Sequence, residues 1–274
     1  MKNGILYLCP TPLGNLEDVT FRVLRILREA DKIAAEDTRH TRKLLSYYEI
    51  HTALVSYHEH NKITKTPVLI EWLLNGQTIA LVSDAGTPAI ADPGEELVQS
   101  AIVHGIDVVA LPGPVAAITA LTASGLPVAP FTFYGFLPQR GPQKKEILAK
   151  IMAEEKTVVF YEAPHRLRKT LADLCLLDPT RKAVMARELT KVHEEYIRGS
   201  LADICLHYEQ TNPRGEFTIL LAGAAECVAE PVDPVMLMEQ YLAKGFSTRE
   251  TAKEVARLTG KPRNEIYQKI IKKK

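Results

Sequence analysis

Five short apolar runs, at residues 5–9, 32–36, 53–57, 78–82 and 107–111, are each followed by a segment of helical periodicity. Repeated strand–helix alternation demands parallel crossovers, so the first half of the chain is expected to be a parallel sheet with helices on both faces. The helices are expected at 20–30, around Leu44 and Leu45, and at 68–74, 95–103 and 115–124. In the first of them Val23, Leu24, Leu27 and Ala30 share one face, while Arg22, Arg25 and Arg28 take the other. Open sheets of this kind collect ligands at the carboxyl ends of their strands. Gly/Pro turns follow three of the strands, at 10–14, 84–94 and 112–114, and mark a ligand edge.

The densest of these turns is 83–94, Ser-Asp-Ala-Gly-Thr-Pro-Ala-Ile-Ala-Asp-Pro-Gly. Pro88 and Pro93 fix φ, while Gly86 and Gly94 permit close approaches that a Cβ would block, so amides and carbonyls can face a bound molecule. No Gly-x-Gly-x-x-Gly follows the first strand and no Gly-Lys-Ser/Thr occurs anywhere, so dinucleotide and nucleoside-triphosphate fingerprints are absent. Exposed carbonyls, carboxylates and apolar turn residues instead suit a nucleoside with a cationic group, such as S-adenosylmethionine.

The Pro/Gly-rich connection 125–130 separates this half from a second, expected to be an α+β domain. Its strands are expected at 131–136, 157–161, 183–189, 193–198 and 217–221, with helices at 146–152 and 165–174. The last three strands leave too little room for parallel crossovers, which predicts a mixed sheet. From Pro231 the pattern turns helical, at 235–243, 248–258 and 264–272. The expected division is therefore 1–124, 125–230 and 231–274.

The whole chain of 274 residues carries a formal net charge of +1, yet residues 249–274 hold nine Lys or Arg against three Glu. That basic tail, which includes Arg263, is either a helical grip for a polyanion or a helical end packed on the body. With 46% hydrophobic and 24% charged residues the composition is that of a soluble protein. Cys9, Cys175, Cys205 and Cys227 have no CxxC spacing, and His40, His51, His58 and His60 have no metal-ligand spacing, so reduced thiols and no metal are expected. No apolar run is long enough for a signal-peptide core or a membrane span, so the expected location is the cytoplasm.

Several motifs, in order, carry a resemblance. They are Thr11-Pro-Leu-Gly-Asn-Leu16, Ala35-Glu-Asp-Thr-Arg39 with Thr41, Leu44 and Leu45, the loop 83–94, and Leu111-Pro-Gly-Pro114. Further on come Ser124-Gly-Leu-Pro127, Gly135-Phe-Leu-Pro138, Tyr161-Glu-Ala-Pro-His-Arg166 and Arg187-Glu-Leu-Thr-Lys191. Together they resemble the ribosomal RNA small-subunit methyltransferase I group, within the tetrapyrrole-methylase-like class of S-adenosylmethionine enzymes. The resemblance covers about residues 5–221 and departs at Ala91, where the group's pattern has Ser.

The resemblance implies two α/β domains with the cofactor in the cleft between them, a homodimer, and 2′-O-methylation of a cytidine in the decoding centre of 16S ribosomal RNA. It also implies that the cofactor lies against Asp84, Ala85, Gly86, Thr87, Ile90, Val115 and Ala116, and against Glu162, Ala163 and the neighbourhood of Gly215. A ribose hydroxyl is a poor nucleophile until a base accepts its proton. Lys191 or Glu188 is the expected base, with Arg39 and Arg187 orienting RNA phosphates; alternatively Glu36, Arg39, Arg187 and Glu188 pair with one another to hold the domains. Arg140, Lys144 and Lys145 beside Phe136, and His165, Arg166, Arg168 and Lys169, are read either as an RNA track or as solvated helix faces. Two other functions stay open: a methylase of a small tetrapyrrole-like metabolite, and a non-catalytic RNA-binding protein.

Overall fold

A computed structural model describes residues 3–224, 234–243, 245–259 and 261–273. The chain divides into two compact units, 1–224 and 225–274, and the first unit contains two five-stranded sheets. Its first half runs β1 (Ile5–Leu8), α1 (Phe21–Glu29), β2 (Lys32–Ala35), α2 (Thr38–Tyr47), β3 (Ala53–Ser56), α3 (Lys62–Leu74), β4 (Ile79–Val82), α4 (Glu95–Val103), β5 (Asp107–Ala110) and α5 (Ala116–Ser124). All pairings are parallel in the order β3-β2-β4-β1-β5. Because β4, β1 and β5 are neighbours, the three Gly/Pro turns lie side by side at one sheet edge.

Local signals set these elements. Thr20 caps α1 by accepting from Val23 N at 3.1 Å, and Asp37 caps α2 by accepting from Arg39 N at 2.8 Å. One face of the sheet packs Val23, Leu24 and Leu27 of α1 and Leu45 of α2 against Ile33 and Val82. The other packs Leu69 and Leu73 of α3 and Leu97 of α4 against Leu6, Ile79 and Leu81.

The second half runs β6 (Phe131–Phe136), α6 (Pro142–Ala153), β7 (Thr157–Glu162), α7 (Pro164–Cys175), β8 (Lys182–Arg187), β9 (Glu195–Ser200), α8 (Leu201–Gln210) and β10 (Phe217–Leu221). The order is β6-β7-β10-β8-β9, with β6 and β7 parallel and the remaining pairs antiparallel, so the sheet is mixed. Helix α8 departs from the sequence reading, which left no helix between the last strands. Its N-terminus carries a capping box, with Asp203 N donating to Ser200 Oγ at 3.1 Å and Ser200 N donating to Asp203 Oδ2 at 2.9 Å. That serine–aspartate spacing was the available signal.

Helix α5 also departs from expectation. Its Ala117, Ala120 and Leu121 pack on Val159, Val184 and Leu220 of the second sheet, which makes it the cover of that sheet. Small residues let the helix sit close to the strands. Gly125, at φ +80, then ends α5 and starts the passage into β6. The opposite face of the second sheet is covered by α6, α7 and α8 through Leu148, Leu167, Leu171 and Ile204.

Arg181 fastens the far end of this half. It is 5% exposed and donates to four carbonyls, those of Ala222 (2.7 Å), Ile151 (2.9 Å), Met152 (3.0 Å) and Glu154 (3.1 Å). The second unit contains α9 (Pro234–Ala243), α10 (Thr248–Thr259) and α11 (Arg263–Lys273), with Met238, Ala252, Val255, Ile266 and Ile270 as its own small core. Arg263 is exposed at the start of α11. No helix among the described residues is long and apolar enough to cross a membrane.

Replacing Arg181 with Ala strands four carbonyl acceptors, that of Ile151 buried and those of Ala222, Met152 and Glu154 partly buried. The expected loss is about 3 kcal/mol of stability, read as a lower urea midpoint with an unchanged slope.

Candidate active site

The turns after β1 and β4 are held together by reciprocal backbone bonds, Thr11 N to Gly86 O and Gly86 N to Thr11 O, each 2.9 Å. Thr11 Oγ1 donates to Ser83 O at 3.0 Å, and Ser83 Oγ donates to Gly86 O at 3.0 Å. Thr87 Oγ1 reaches Pro114 O at 2.9 Å and so adds the turn after β5. Gly86 sits at φ +83, where a Cβ would also press on Leu13 Cδ2 at 3.1 Å. Asp84 Oδ1 accepts from Asp37 N at 3.0 Å, which orients its carboxylate from the end of β2.

Facing these turns is the carboxyl end of β7. The Tyr161 hydroxyl accepts from Ala117 N at 3.1 Å, and its ring lies between Phe133 and Phe136, at centroid distances of 5.1 and 5.5 Å. Between the two walls is a cavity of about 400 Å³. Asp84, Ala85, Gly86, Thr87, Ile90, Val115, Ala116, Glu162 and Ala163 all line it, so the structure brings together every expected cofactor residue except Gly215. Gly215 lies outside this lining; at φ +86 it makes room for the Glu188 carboxylate, with which a Cβ would collide.

The cavity also contains residues the sequence reading had not assigned to it, above all Glu36, Asp92, Phe136, Tyr161 and Glu216. Burial, then repulsion from Asp92 and Asp84, pushes the Glu36 carboxyl up to about 7. Burial, then repulsion from Asp84 and Glu216, pushes Asp92 up to about 6. A carboxylate cluster crowded in this way favours a cation beside it. Asp92 was the legible member, since it belongs to the same turn as Asp84.

Two expected RNA contacts are structural. Lys144 is 6% exposed, pairs with Asp173 at 2.7 Å and donates to Thr170 Oγ1 at 3.5 Å. Thr170 in turn donates to Glu162 Oε2 at 2.6 Å, and Arg166 Nε meets Glu162 Oε1 at 3.0 Å. Arg166 donates its other face to the Leu137 carbonyl. Both cations are therefore spent on the fully buried Glu162 side chain and its surroundings, and they fix the β7 end that walls the cavity. Neighbouring positions in a helix point to different sides, so Lys145 is exposed where Lys144 is not; Arg140 is exposed as well.

The chain leaves β8 through two left-handed residues, Glu188 (φ +51) and Thr190 (φ +65). In this turn Lys191 Nζ donates to Glu188 Oε1 at 2.8 Å and Glu216 Oε2 at 2.9 Å. Burial works against the ammonium, but these two carboxylates outweigh it and raise the Lys191 pKa. Burial likewise opposes ionisation of Glu188, whose pKa is nevertheless lowered by Lys191 and the Glu216 N–H. A lysine held charged has no lone pair to accept a proton, and of the two Glu188 carboxylate oxygens Oε1 already accepts from Lys191 Nζ and the Glu216 N–H. The suggested mutual pairing of Glu36, Arg39, Arg187 and Glu188 is absent. Arg39 pairs with Asp37 at 2.9 Å on the surface, and Arg187 with Glu195 at 3.4 Å and the Arg214 carbonyl at 2.8 Å.

A second cavity, of about 520 Å³, adjoins the first and shares Leu13, Asp84, Ala85 and Glu216 with it. Among the described residues no group of three or more His, Cys, Asp or Glu could hold a metal ion.

A family model described as Tetrapyrrole (Corrin/Porphyrin) Methylases matches residues 6–205. The chain belongs to that family. Among curated proteins it is 50% identical over 270 residues to the ribosomal RNA small subunit methyltransferase I of Halalkalibacterium halodurans, covering 96% of this chain and 93% of the relative. It is 46% identical over 271 residues to the protein of the same name from Bacillus subtilis, with the same coverage. Among solved structures it is similar to a uroporphyrin-III C-methyltransferase from Thermus thermophilus complexed with S-adenosylhomocysteine, with TM-score 0.58, 20% identity, and coverage of 79% of this chain and 97% of that one. At that identity the likeness establishes the shared fold of this methylase family.

Because the Glu36 and Asp92 midpoints lie above their ordinary values of 4.5 and 3.8, the folded state holds protons that the unfolded chain releases. The cluster therefore costs stability progressively as pH rises through the window from about 4 to about 7. Asp92→Asn is expected to raise the melting temperature more at pH 8 than at pH 4, and to move the Glu36 midpoint, read by carboxyl carbon NMR, below about 7.

Proposed function

We propose that this protein is an S-adenosylmethionine-dependent methyltransferase that methylates the 2′-hydroxyl of a cytidine in the decoding centre of 16S ribosomal RNA. The observation that carries the reading is the 50% identity, over 93% of its length, to a relative named ribosomal RNA small subunit methyltransferase I. The protein is proposed to act in the cytoplasm and as a homodimer.

The donor cavity fits the cofactor chemically. Leu13, Ile90, Val115 and Leu189 offer an apolar slot for an aromatic base, and Glu36, Asp84 and Asp92 offer negative charge to a cation. S-adenosylmethionine, when bound, supplies an electrophilic methyl group on a sulfonium. The protein's own part is to hold the acceptor hydroxyl in line with that group, to exclude water, and to take the hydroxyl proton. Asp84 lies on the wall common to both cavities and is oriented by the Asp37 N–H, so it is the carboxylate placed to receive that proton. Lys191, kept charged by Glu188 and Glu216, supplies a fixed positive charge at the acceptor side. The exposed Arg39, Arg140, Lys145 and Arg263 are proposed as phosphate contacts.

The decisive experiment offers radiolabelled S-adenosylmethionine with free 16S RNA, 30S particles and tetrapyrroles in parallel, and maps the label. The expected product is RNA with one alkali-resistant ribose bond; absence of label from both RNA samples would sink the reading. A second outcome follows from the carboxylates. Ionising Glu36 and Asp92 strengthens attraction for a sulfonium but not for the neutral thioether of S-adenosylhomocysteine. Calorimetry should find the affinity ratio of S-adenosylmethionine to S-adenosylhomocysteine rising between pH 5.5 and pH 8, with proton release on binding of the former. A pH-independent ratio would show that the cluster does not face the sulfonium.

A further inference from the structure

Glu162 and Ala163 wall the donor cavity, yet the Glu162 side chain is fully buried, which keeps its carboxylate from a bound molecule. Oε1 accepts from Ala163 N at 2.9 Å and from Arg166 Nε at 3.0 Å, and Oε2 accepts from Thr170 Oγ1 at 2.6 Å. Ala163 is the N-cap of α7 and has no capping side chain, so the bond from its own N–H to Glu162 steadies the turn out of β7. A carboxylate at this depth needs a compensating charge, and Arg166 supplies it. Lys144 extends the arrangement, since it pairs with Asp173 at 2.7 Å and donates to Thr170 Oγ1 at 3.5 Å.

Arg166 also reaches a second segment. Its Nη2 donates to the Leu137 carbonyl, in the loop that follows β6. The sheet holds that loop weakly: the β6–β7 register shifts between Phe133 and Phe136, and Gly135 and Gly141 flank the segment at φ +60 and +87. Within it Leu137 is 2% exposed and joins the core, whereas Phe136 is 53% exposed, lines the donor cavity and meets the Tyr161 ring at 5.5 Å. One guanidinium thus ties together two walls of a cavity that Arg166 itself does not line.

We infer that Arg166 is a positioning residue for the methyl donor: by spanning Leu137 O and Glu162 Oε1 it fixes the gap between Phe136 and the end of β7, and so sets the affinity for S-adenosylmethionine. The inference rests on the S-adenosylmethionine reading above and deepens it. A guanidinium presents its donors in a rigid planar fork and serves both oxygens at once, whereas an ammonium is a single point. Affinity is greatest when the walls of a site already stand at their bound separation, so a loosened wall weakens binding.

The test uses the full-length protein, with S-adenosylhomocysteine in the calorimeter and 30S particles in the kinetics; the calorimetric arm needs no acceptor. Arg166→Lys keeps a cation beside Glu162 and releases Leu137. It is expected to raise Kd for S-adenosylhomocysteine and KM for S-adenosylmethionine at least about tenfold, with kcat and KM for the particle within about twofold of wild type. Because Arg166 acts through the Phe136 loop, the losses from Arg166→Lys and Phe136→Ala should combine to less than their product in the double variant. Glu162→Gln together with Arg166→Gln removes both buried charges at once; it should keep a cooperative urea transition and still lose donor affinity by a similar factor. The inference is overturned if Arg166→Lys keeps the wild-type Kd, if the two losses multiply fully, or if donor affinity, kcat and melting temperature fall together in Arg166→Lys. In each of those cases the donor reading survives. Wild-type protein that binds neither S-adenosylmethionine nor S-adenosylhomocysteine would instead remove that reading, and the inference with it.

Discussion

Two hydrogen bonds between the backbones of Thr11 and Gly86 decide how the rest of the site can be built. Turns rich in glycine lose much conformational freedom on ordering, so they stay fixed only when their amides are tied. Here the tie joins the ends of two adjacent strands, and the hydroxyls of Thr11, Ser83 and Thr87 extend it to the third turn. The outcome is a single wall, on which Asp84 has one orientation and can serve two cavities at once.

That wall concentrates negative charge. Glu36, Asp84 and Asp92 come from the ends of β2 and β4 and from the loop beyond, and burial, then repulsion between neighbouring carboxylates, raises the pKa values of Glu36 and Asp92. Crowding of this kind is unfavourable for the isolated fold and favourable once a cation is present, which is how binding sites commonly hold local instability. The opposite sign is arranged beside it. Lys191 is kept charged between Glu188 and Glu216, and His40 and Lys43 lie on the free face of α2. A cationic donor and an anionic strand can therefore approach that wall from opposite sides.

Much of this was legible in the sequence for definite reasons. Strand and helix positions followed from periodicity, and the three Gly/Pro turns identified the ligand edge before any neighbour relation was known. Helix α8 is absent from the sequence reading although Leu201, Ile204 and Tyr208 fall on one helical face and its Ser200–Asp203 cap is present. Charged residues were the least legible. Lys144 and Lys145 are chemically identical in the sequence, and only the helix orientation buries one on Asp173 and exposes the other. Arg166 had the look of an RNA contact until its carboxylate partner, Glu162, came into view.

The sequence by itself determined the local choices: which runs extend, which coil, where the chain must turn, and that the turn at 83–94 places backbone for a ligand. Tertiary structure alone decided that β1 lies between β4 and β5, that α5 covers the second sheet, and that Asp84 stands between two cavities. The physical reason is range. Backbone propensity and capping act over a few residues and can be read in order along the chain, whereas the burial and protonation of a charged side chain depend on groups brought near it from distant segments.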